Sequence, residues 1–425
     1  MARDGKRMKR AERAARKVLQ RLEEAGFQAY FVGGCVRDQL MKRPVSDYDV
    51  ATNARPEEVQ ALFSHTIPTG IQHGTVTVWL EETSVEVTTF RVESRYKDSR
   101  RPEHVHFVDS LYLDLARRDF TINAIAQDLN GRYYDPFHGM DDLASNMLRT
   151  VGEPFERFQE DALRLLRAVR FAAQLGMRIE KETYEAICTH AGLLSRIAVE
   201  RIRTEWDKIL LSNAAYGIQL LLKTGLFPYV FFDIEVPSPQ ILSSLSLIEK
   251  LPKKLTIRYA ALCDRMGIRE QEADRWLRKL RHGKKFVRDI LSVLRALPTG
   301  DQSICDLLNW EDTTWRNHLY HVGKEAAEHA AQILSVYEPN DQATMVYNLY
   351  RAKISQQPIW TMCDLKIDGH RLLNEFPDLE RKGWLIGEIL KHLVGEVLRH
   401  PHKNDPYALL CEARDFLEKN RGSQE

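Results

Sequence analysis

Hydrophobic periodicity changes once along this chain of 425 residues, near residue 150, and that change limits the folds available to it. Before it, short apolar runs alternate with a period of two, the repeat of strands with one buried face. "AYFVGG" (29–34) reads as a buried strand and "CVRDQLM" (35–41) as a short helix beginning just past the glycines. "TVTVWL" (75–80) and "SVEVTTFRV" (84–92) are β-branched and alternating, with "EET" between them as a hairpin connection. "SRYKDSRRPEHV" (94–105) is polar and basic and contains Pro102, which predicts an exposed loop. "DFTINAIAQDLNGRYYDPF" (119–137) predicts a helix, a turn at Asn130-Gly131 and a short strand.

Beyond residue 150 no alternation of any length returns. "RFQEDALRLLRAVRFAAQLG" (157–176) has helical periodicity and stops at Gly176. "KETYEAICTHAGLLSRI", "VERIRTEWDKILLS" and "AAYGIQLLLKTGL" continue in the same style. The fold class expected is α+β, a mixed α/β head followed by an all-helical remainder. The length calls for two to four packed units.

Composition excludes several classes. The chain is 44% hydrophobic and 28% charged with a net charge of +1, which is ordinary for a soluble globular protein. Basic charge is concentrated in residues 1–21 and 275–288, so a local anion-binding face remains open. The six cysteines never form a C-x-x-C pair, which argues against a zinc site or disulfide framework and for reduced thiols in the cytoplasm. The basic N-terminus is not followed by an apolar stretch, so no signal peptide is expected, and nothing approaches a membrane span.

The residues with chemistry cluster in the head and at its exit. A strand ending in Gly33-Gly34 and feeding a helix lets backbone N–H groups approach an anion; alone, such a turn is commonly only a turn. In "SDYDV", Asp47 and Asp49 stand at i and i+2, so an extended backbone puts both carboxylates on one face. Adjacent carboxylates repel, and a shared hard cation such as Mg²⁺ relieves them. In "RRDFTINAIA", Arg118 and Asp119 precede an apolar run, where Asp119 would also serve as a helix N-cap. In "EDALRLLRAVRFAA", Asp161, Arg164, Arg167 and Arg170 recur every third residue between apolar side chains. So narrow a polar stripe points into a cleft or interface; the alternative is a buried interhelical salt-bridge network.

The set "VGGCVRD", "SDYDVAT", "RRDFTINAIA" and "EDALRLLRAVRF", in this order, resembles the class II tRNA nucleotidyltransferases, the family of the bacterial CCA-adding enzymes and poly(A) polymerases. The resemblance runs over residues 27–210, and "LLSRIAVERIRTEWDKIL" is similar to the segment closing the family's second domain. It implies a polymerase-β-like nucleotidyltransferase head (1–150), a neck that recognises the base (151–212), and a body (213–310) and tail (311–425) that bind tRNA. It implies Mg²⁺ on Asp47 and Asp49 as the catalytic pair, and Gly34, Arg37 and Arg118 at the nucleotide. Asp161, Arg164, Arg167 and Arg170 would hold the incoming base and triphosphate, and Glu86 is where a third acidic residue would lie; otherwise it is an ordinary solvent-facing strand residue.

The activity so implied is template-free addition of C, C and A to the tRNA 3′ end from CTP and ATP. Alternatives are addition of A alone, a poly(A) polymerase, or, in a different class, a non-catalytic RNA-binding protein. Poly(A) polymerases of the family usually carry an Arg-rich "GRRF"-like strand, where this chain has "HTIPTGIQHGTVTV". "RYKDSRRPEHV" resembles the family's flexible loop needed for A addition, which CC-only members lack. A binding module has no use for Asp47 and Asp49 as a pair. The basic segment 275–288 is a candidate tRNA surface or a plain solvated helix face.

Overall fold

The structure, a computed structural model, describes residues 2–45, 47–97, 101–298, 307–337 and 341–421. The chain divides into two compact units, residues 1–233 and 234–425. Among the described residues, the first holds all the strands. Helix α1 (Ala2–Glu24) leads to β1 (Ala29–Val32), α2 (Gly34–Leu40), β2 (Asp49–Thr52), α3 (Pro56–Leu62), β3 (Thr66–Gly70), β4 (Thr75–Leu80) and β5 (Thr83–Thr89). There follow β6 (Arg91–Lys97), β7 (Arg101–Phe107), α4 (Leu111–Ala116), β8 (Ala126–Gln127), β9 (Tyr133–Tyr134) and α5 (Gly139–Ala144). After β10 (Met147–Leu148) come α6 (Pro154–Glu160), α7 (Leu163–Leu175), β11 (Arg178–Ile179), α8 (Lys181–His190), α9 (Val199–Leu210) and α10 (Ala214–Lys223).

One seven-stranded sheet organises the head, in the order β3-β4-β5-β2-β1-β8-β9. Only β2 and β5 run parallel within it. Alternation sorts its side chains. Phe31, Val50, Val76, Val78, Val85 and Val87 share a buried cluster with Ala11, Ala14, Ala15, Val18, Leu19 and Leu22 of α1. Those α1 positions repeat at three and four residues, so one stripe of a basic helix covers the sheet. Burying Val18, Leu19 and Leu22 contributes roughly 1.5–3 kcal/mol each. Val32, Ala51, Phe90, Leu115, Ala124, Ala126 and Val151 pack in a second cluster. The expected hairpin turn is present: Glu81 and Glu82 both have positive φ, 50° and 57°, as a two-residue hairpin loop demands. They lie under α1, where Arg10 pairs with Glu82 at 2.5 Å and Lys17 pairs with Glu81.

Three local expectations are corrected. The exposed loop over 94–105 is instead mostly a two-stranded ribbon, β6 against β7, while residues 98–100 lie outside the described residues. A ribbon is held by backbone pairing rather than apolar burial, so its polar composition hid it. Pro102 pairs with Tyr96, and the open edge of a two-stranded ribbon tolerates the missing N–H. The helix expected from residue 119 is a single 3₁₀ turn, Thr121–Asn123, followed by β8, whose Ala126 pairs with Val32. Ile122 and Ile125 are wholly buried, and packing against the sheet overrides a weak helical pattern. The single helix over 157–176 is two, broken at Asp161, whose backbone is extended (φ −138°, ψ 102°). Its stop is as read, with Gly176 left-handed at φ 70°. A further short parallel pair joins β10, at the end of the head, to β11 beyond it, so the remainder is mostly rather than wholly helical.

Among the described residues, the second unit is helical. Helices Glu270–Lys279 and Lys284–Ala296 bury Trp276, Leu277, Val287 and Ile290 and leave Arg275, Lys279, Lys284 and Lys285 exposed. A separate core joins helices Gly383–Arg399 and Pro406–Arg421 through Leu393, Val397, Leu409 and Ala413. Among the described residues no helix is long and apolar enough to cross a membrane.

Gly139 fixes the loop after β9 onto the 3₁₀ turn, since a Cβ there would meet the Thr121 carbonyl oxygen at 2.2 Å. That contact is backbone and cannot swing aside. Gly139→Ala is expected to destabilise the first unit by about 1–3 kcal/mol, as overpacking does. Denaturant unfolding of wild type and variant measures it; equal midpoints would show that the loop is not pinned there.

Candidate active site

Tyr48 is buried edge-on against Phe31, with ring centroids 5.6 Å apart, while Asp47 and Asp49 on either side are exposed. The i, i+2 spacing therefore does put both carboxylates on one face, with Asp49 opening β2 and Asp47 just ahead of it. β2 lies beside β5 in a register that pairs Asp49 with Glu86, whose side chain is also exposed. The three acidic residues thus converge.

Asp49 keeps a solvent-accessible tip although protein surrounds it on most sides. That enclosure, with Glu86 and then Asp47, raises its carboxyl to about 6, against the opposing pull of Arg118. A carboxylate group held so uneasily, built of hard oxygen donors, fits a divalent cation.

Gly33 makes the other wall. It has φ 71° and ψ −130°, and a Cβ on it would lie 3.1 Å from Arg118 Nη1 and 3.9 Å from Asp49 Oδ2. Gly34 opens α2, and a Cβ there would meet only Arg37 Nη2, at an ordinary 3.6 Å. The tighter requirement for glycine is at Gly33. Arg118 donates from Nη2 to Asp114 Oδ2 at 3.1 Å, while its buried Nε has no partner among the described residues. Asp114 also takes Arg117, at 2.8 Å. Burial would push the Asp114 carboxyl up, but Arg118 and Arg117 outweigh it and hold it low.

Arg37 is buried beneath this site, donating to Asn123 Oδ1 (2.7 Å) and Asp38 Oδ1 (2.9 Å). Asn123 donates to Asp119 Oδ1 (3.0 Å), and Arg167 donates to Asp119 Oδ2 from Nε (2.8 Å) and Nη2 (2.6 Å). Asp119 also accepts from the Phe120 N–H, but it is not a helix N-cap: Phe120 stands at the start of the 3₁₀ turn, which has no side-chain cap. Arg170 pairs with Glu205 of α9 and donates to Gln174 at 2.9 Å. Three guanidinium groups surround the Phe171 ring, Arg37 at 5.1 Å, Arg167 at 5.3 Å and Arg170 at 3.7 Å. Part of the arginine stripe is thus an interhelical ion-pair network.

Asp161 and Arg164 stand at the α6–α7 break, each with its own partner. Asp161 accepts from the Leu163 N–H (3.1 Å) and from Arg201 of α9 (2.9 Å). Arg164 pairs with Glu160 and donates to the carbonyl oxygens of Arg157 and Arg117, both at 3.1 Å. Sequence reasoning did not single out Asp114, Glu160, Arg201 or Glu205. The last two lie at i and i+4 in "ERIRTEW", a spacing that marks one helix face.

The chain matches a family model described as "Poly A polymerase head domain" over residues 29–149. It also matches family models described as "Probable RNA and SrmB-binding site of polymerase A" over 176–237 and "tRNA nucleotidyltransferase domain 2 putative" over 253–413. It is 38% identical over 404 residues to the CCA-adding enzyme of Leuconostoc mesenteroides, covering 95% of this chain and 96% of that one. To the CCA-adding enzyme of Anoxybacillus flavithermus it is 39% identical, covering 92% and 94%. A solved structure of the Bacillus stearothermophilus CCA-adding enzyme in complex with CTP superposes with a TM-score of 0.75 at 34% identity, covering 96% and 98%.

Asp119 gives a test of the ionic network. Burial would raise its carboxyl, but Arg167, the Asn123 hydrogen bond and Arg164 hold it well below the usual range. A depressed carboxyl contributes stability that is complete above its unfolded value, about 4, and is lost as pH falls toward the folded one. Asp119→Asn is therefore expected to cost about 3–5 kcal/mol at neutral pH, as breaking a buried pair does. The deficit should shrink below pH 4 in denaturant unfolding; a deficit independent of pH would mean the charge is not what stabilises the contact.

Proposed function

The chain belongs to the CCA-adding enzymes, nucleotidyltransferases of tRNA, and we propose that it performs the whole addition of C, C and A from CTP and ATP. The observation that carries this reading is the convergence of Asp47, Asp49 and Glu86 on one sheet face beside Gly33 and Arg118. On this reading Asp47 and Asp49, with Glu86, hold divalent cations, and the ion is Mg²⁺. When bound, the cations polarise the RNA 3′-hydroxyl and the transferred phosphate and neutralise the leaving pyrophosphate.

The protein's own groups supply the rest. The Gly33-Gly34 turn brings backbone N–H groups close to the triphosphate, and Arg118, braced by Asp114, offers its guanidinium to the same charge. Arg37, Arg167 and Arg170, steadied by Asp38, Asp119 and Glu205, complete the nucleotide's surroundings. Asp161 and Arg164 take the base. Cytosine and adenine both present an amino donor beside a ring-nitrogen acceptor, and uracil and guanine present the reverse. A carboxylate accepts from the amino group and a guanidinium donates to the ring nitrogen, so one pair accepts C and A alone. Residues 151–212 then serve as the base-reading neck. Residues 213–310 and 311–425 bind tRNA by shape and phosphate contacts, with the exposed cations of 275–288 among them. Free thiols at Cys35, Cys188, Cys263, Cys363 and Cys411 favour the cytoplasm as the place of work.

The reading is tested by offering tRNAs that end before the first C, after one C and after both, with CTP or ATP singly. Two C additions followed by one A are expected; A addition alone, with CTP unused on every substrate, would identify an A-adding enzyme. Asp49→Ala should abolish incorporation while tRNA affinity is kept, and near-normal turnover by that variant would remove the carboxylates from the chemistry. Asp161→Ala should raise the relative use of UTP and GTP, since a mispaired base facing a carboxylate costs on the order of a few kcal/mol. An unchanged preference would return the stripe to a structural role.

A further inference from the structure

Nucleotide and RNA must reach Asp49 from different sides, and the sheet distinguishes them. Toward β1, Asp49 adjoins Gly33 and Arg118, surroundings suited to a triphosphate. Toward β5 it adjoins Glu86 in register, which repels phosphate and leaves room for a neutral hydroxyl and its nucleoside. We propose that Trp79 is the stacking platform for the 3′-terminal base of the RNA, an inference resting on the nucleotidyl-transfer reading above.

The register carries it. β5 and β4 pair Glu86 with Thr77 and Ser84 with Trp79. Directly paired residues point to the same face, and positions two apart along a strand share it. Trp79 therefore stands on the face of Asp49 and Glu86, with Val76 and Val78 buried on the other. Counting strand and residue spacings, its Cα lies roughly 12 Å from that of Asp49, about the reach of one nucleoside. Between the two lie Ser84 and Thr77, short side chains that leave a shelf. Its floor is fixed by a 2.8 Å hydrogen bond between the Thr77 and Thr69 hydroxyls.

Trp79 itself is 49% exposed, and Ile67, which pairs with Thr77 on β3, is 51% exposed. A large indole so open contributes little to the core and offers a bare aromatic face at the edge of the site. Any base has a π-face, so such a platform serves a terminus that changes as C, C and A are added.

The test uses the full chain with a tRNA ending in CC and ATP. Trp79→Ala is expected to lower kcat/KM for the tRNA by about ten-fold or more, the usual size of a lost stacking contact. KM for ATP should be unchanged, and Trp79→Phe should recover most of the loss. The fluorescence quenched on adding the tRNA should diminish in Trp79→Phe by the contribution of this one indole. Wild-type kcat/KM in Trp79→Ala, or an equal rise in KM for ATP and tRNA, overturns the platform. Asp49→Ala run alongside separates the two claims: if it is inactive while Trp79→Ala is normal, only the platform fails, and if it is active, the reading beneath it fails.

Discussion

Asp49 and Glu86 face each other in register across parallel strands, and holding two like charges there is the constraint to which the rest of the head responds. Neighbouring carboxylates resist folding unless something else fixes the strands that bear them. Here the fixing is done on the opposite face, where Val50, Val85, Val87 and Phe31 are buried beneath α1. Each such side chain contributes roughly 1.5–3 kcal/mol. The pleat thus separates cohesion from chemistry. One face supplies burial, and the other carries charge that burial would not tolerate. The raised carboxyl of Asp49 marks first its enclosure by the protein and then its repulsion by Glu86 and Asp47.

A second constraint acts where the head meets the helices that follow. Arg37, Arg167 and Arg170 crowd one phenylalanine ring, an arrangement that repels itself unless carboxylates intervene. Asp119 and Glu205 intervene, from just ahead of the 3₁₀ turn and from α9. The network therefore ties three separate stretches of sequence to one residue of α7. It also bears on the proposal that these arginines meet a nucleotide. A guanidinium has five N–H donors, and Arg167 commits Nε and Nη2 to Asp119. Structural pairing and ligand binding need not compete for the same hydrogens.

What was legible in the sequence follows from the range of each signal. Asp47 and Asp49 were readable because a two-residue spacing in an extended segment decides the face by itself. The Gly33-Gly34 turn was readable for the same reason, since a left-handed backbone requirement is local, and the "EET" hairpin was readable from the alternating strands on either side of it. Glu86 was half readable: alternation put it on a solvent face, but only strand register puts it beside Asp49. The ribbon over 91–107 and the 3₁₀ turn after Asp119 were missed because both depend on partners distant in sequence. Polar composition masked the first, and apolar periodicity imitated a helix in the second.

The α6–α7 break was the most consequential miss. A recurrence of every third residue, read as one continuous helix, sets Asp161 and Arg164 side by side as neighbours with opposite charge. On a continuous helix such neighbours satisfy one another, and a base would have to compete with that pairing. The break gives them separate supports: Arg201 on α9 for Asp161, and Glu160 on α6 for Arg164. Each is then oriented by a group other than the residue proposed to read the base with it. A donor and an acceptor fixed independently keep their spacing whether or not a base lies between them, which is what preorganised recognition of a base edge requires. The extended backbone at Asp161, unfavourable for a long helix, is thus the local cost of keeping the two charges distinct.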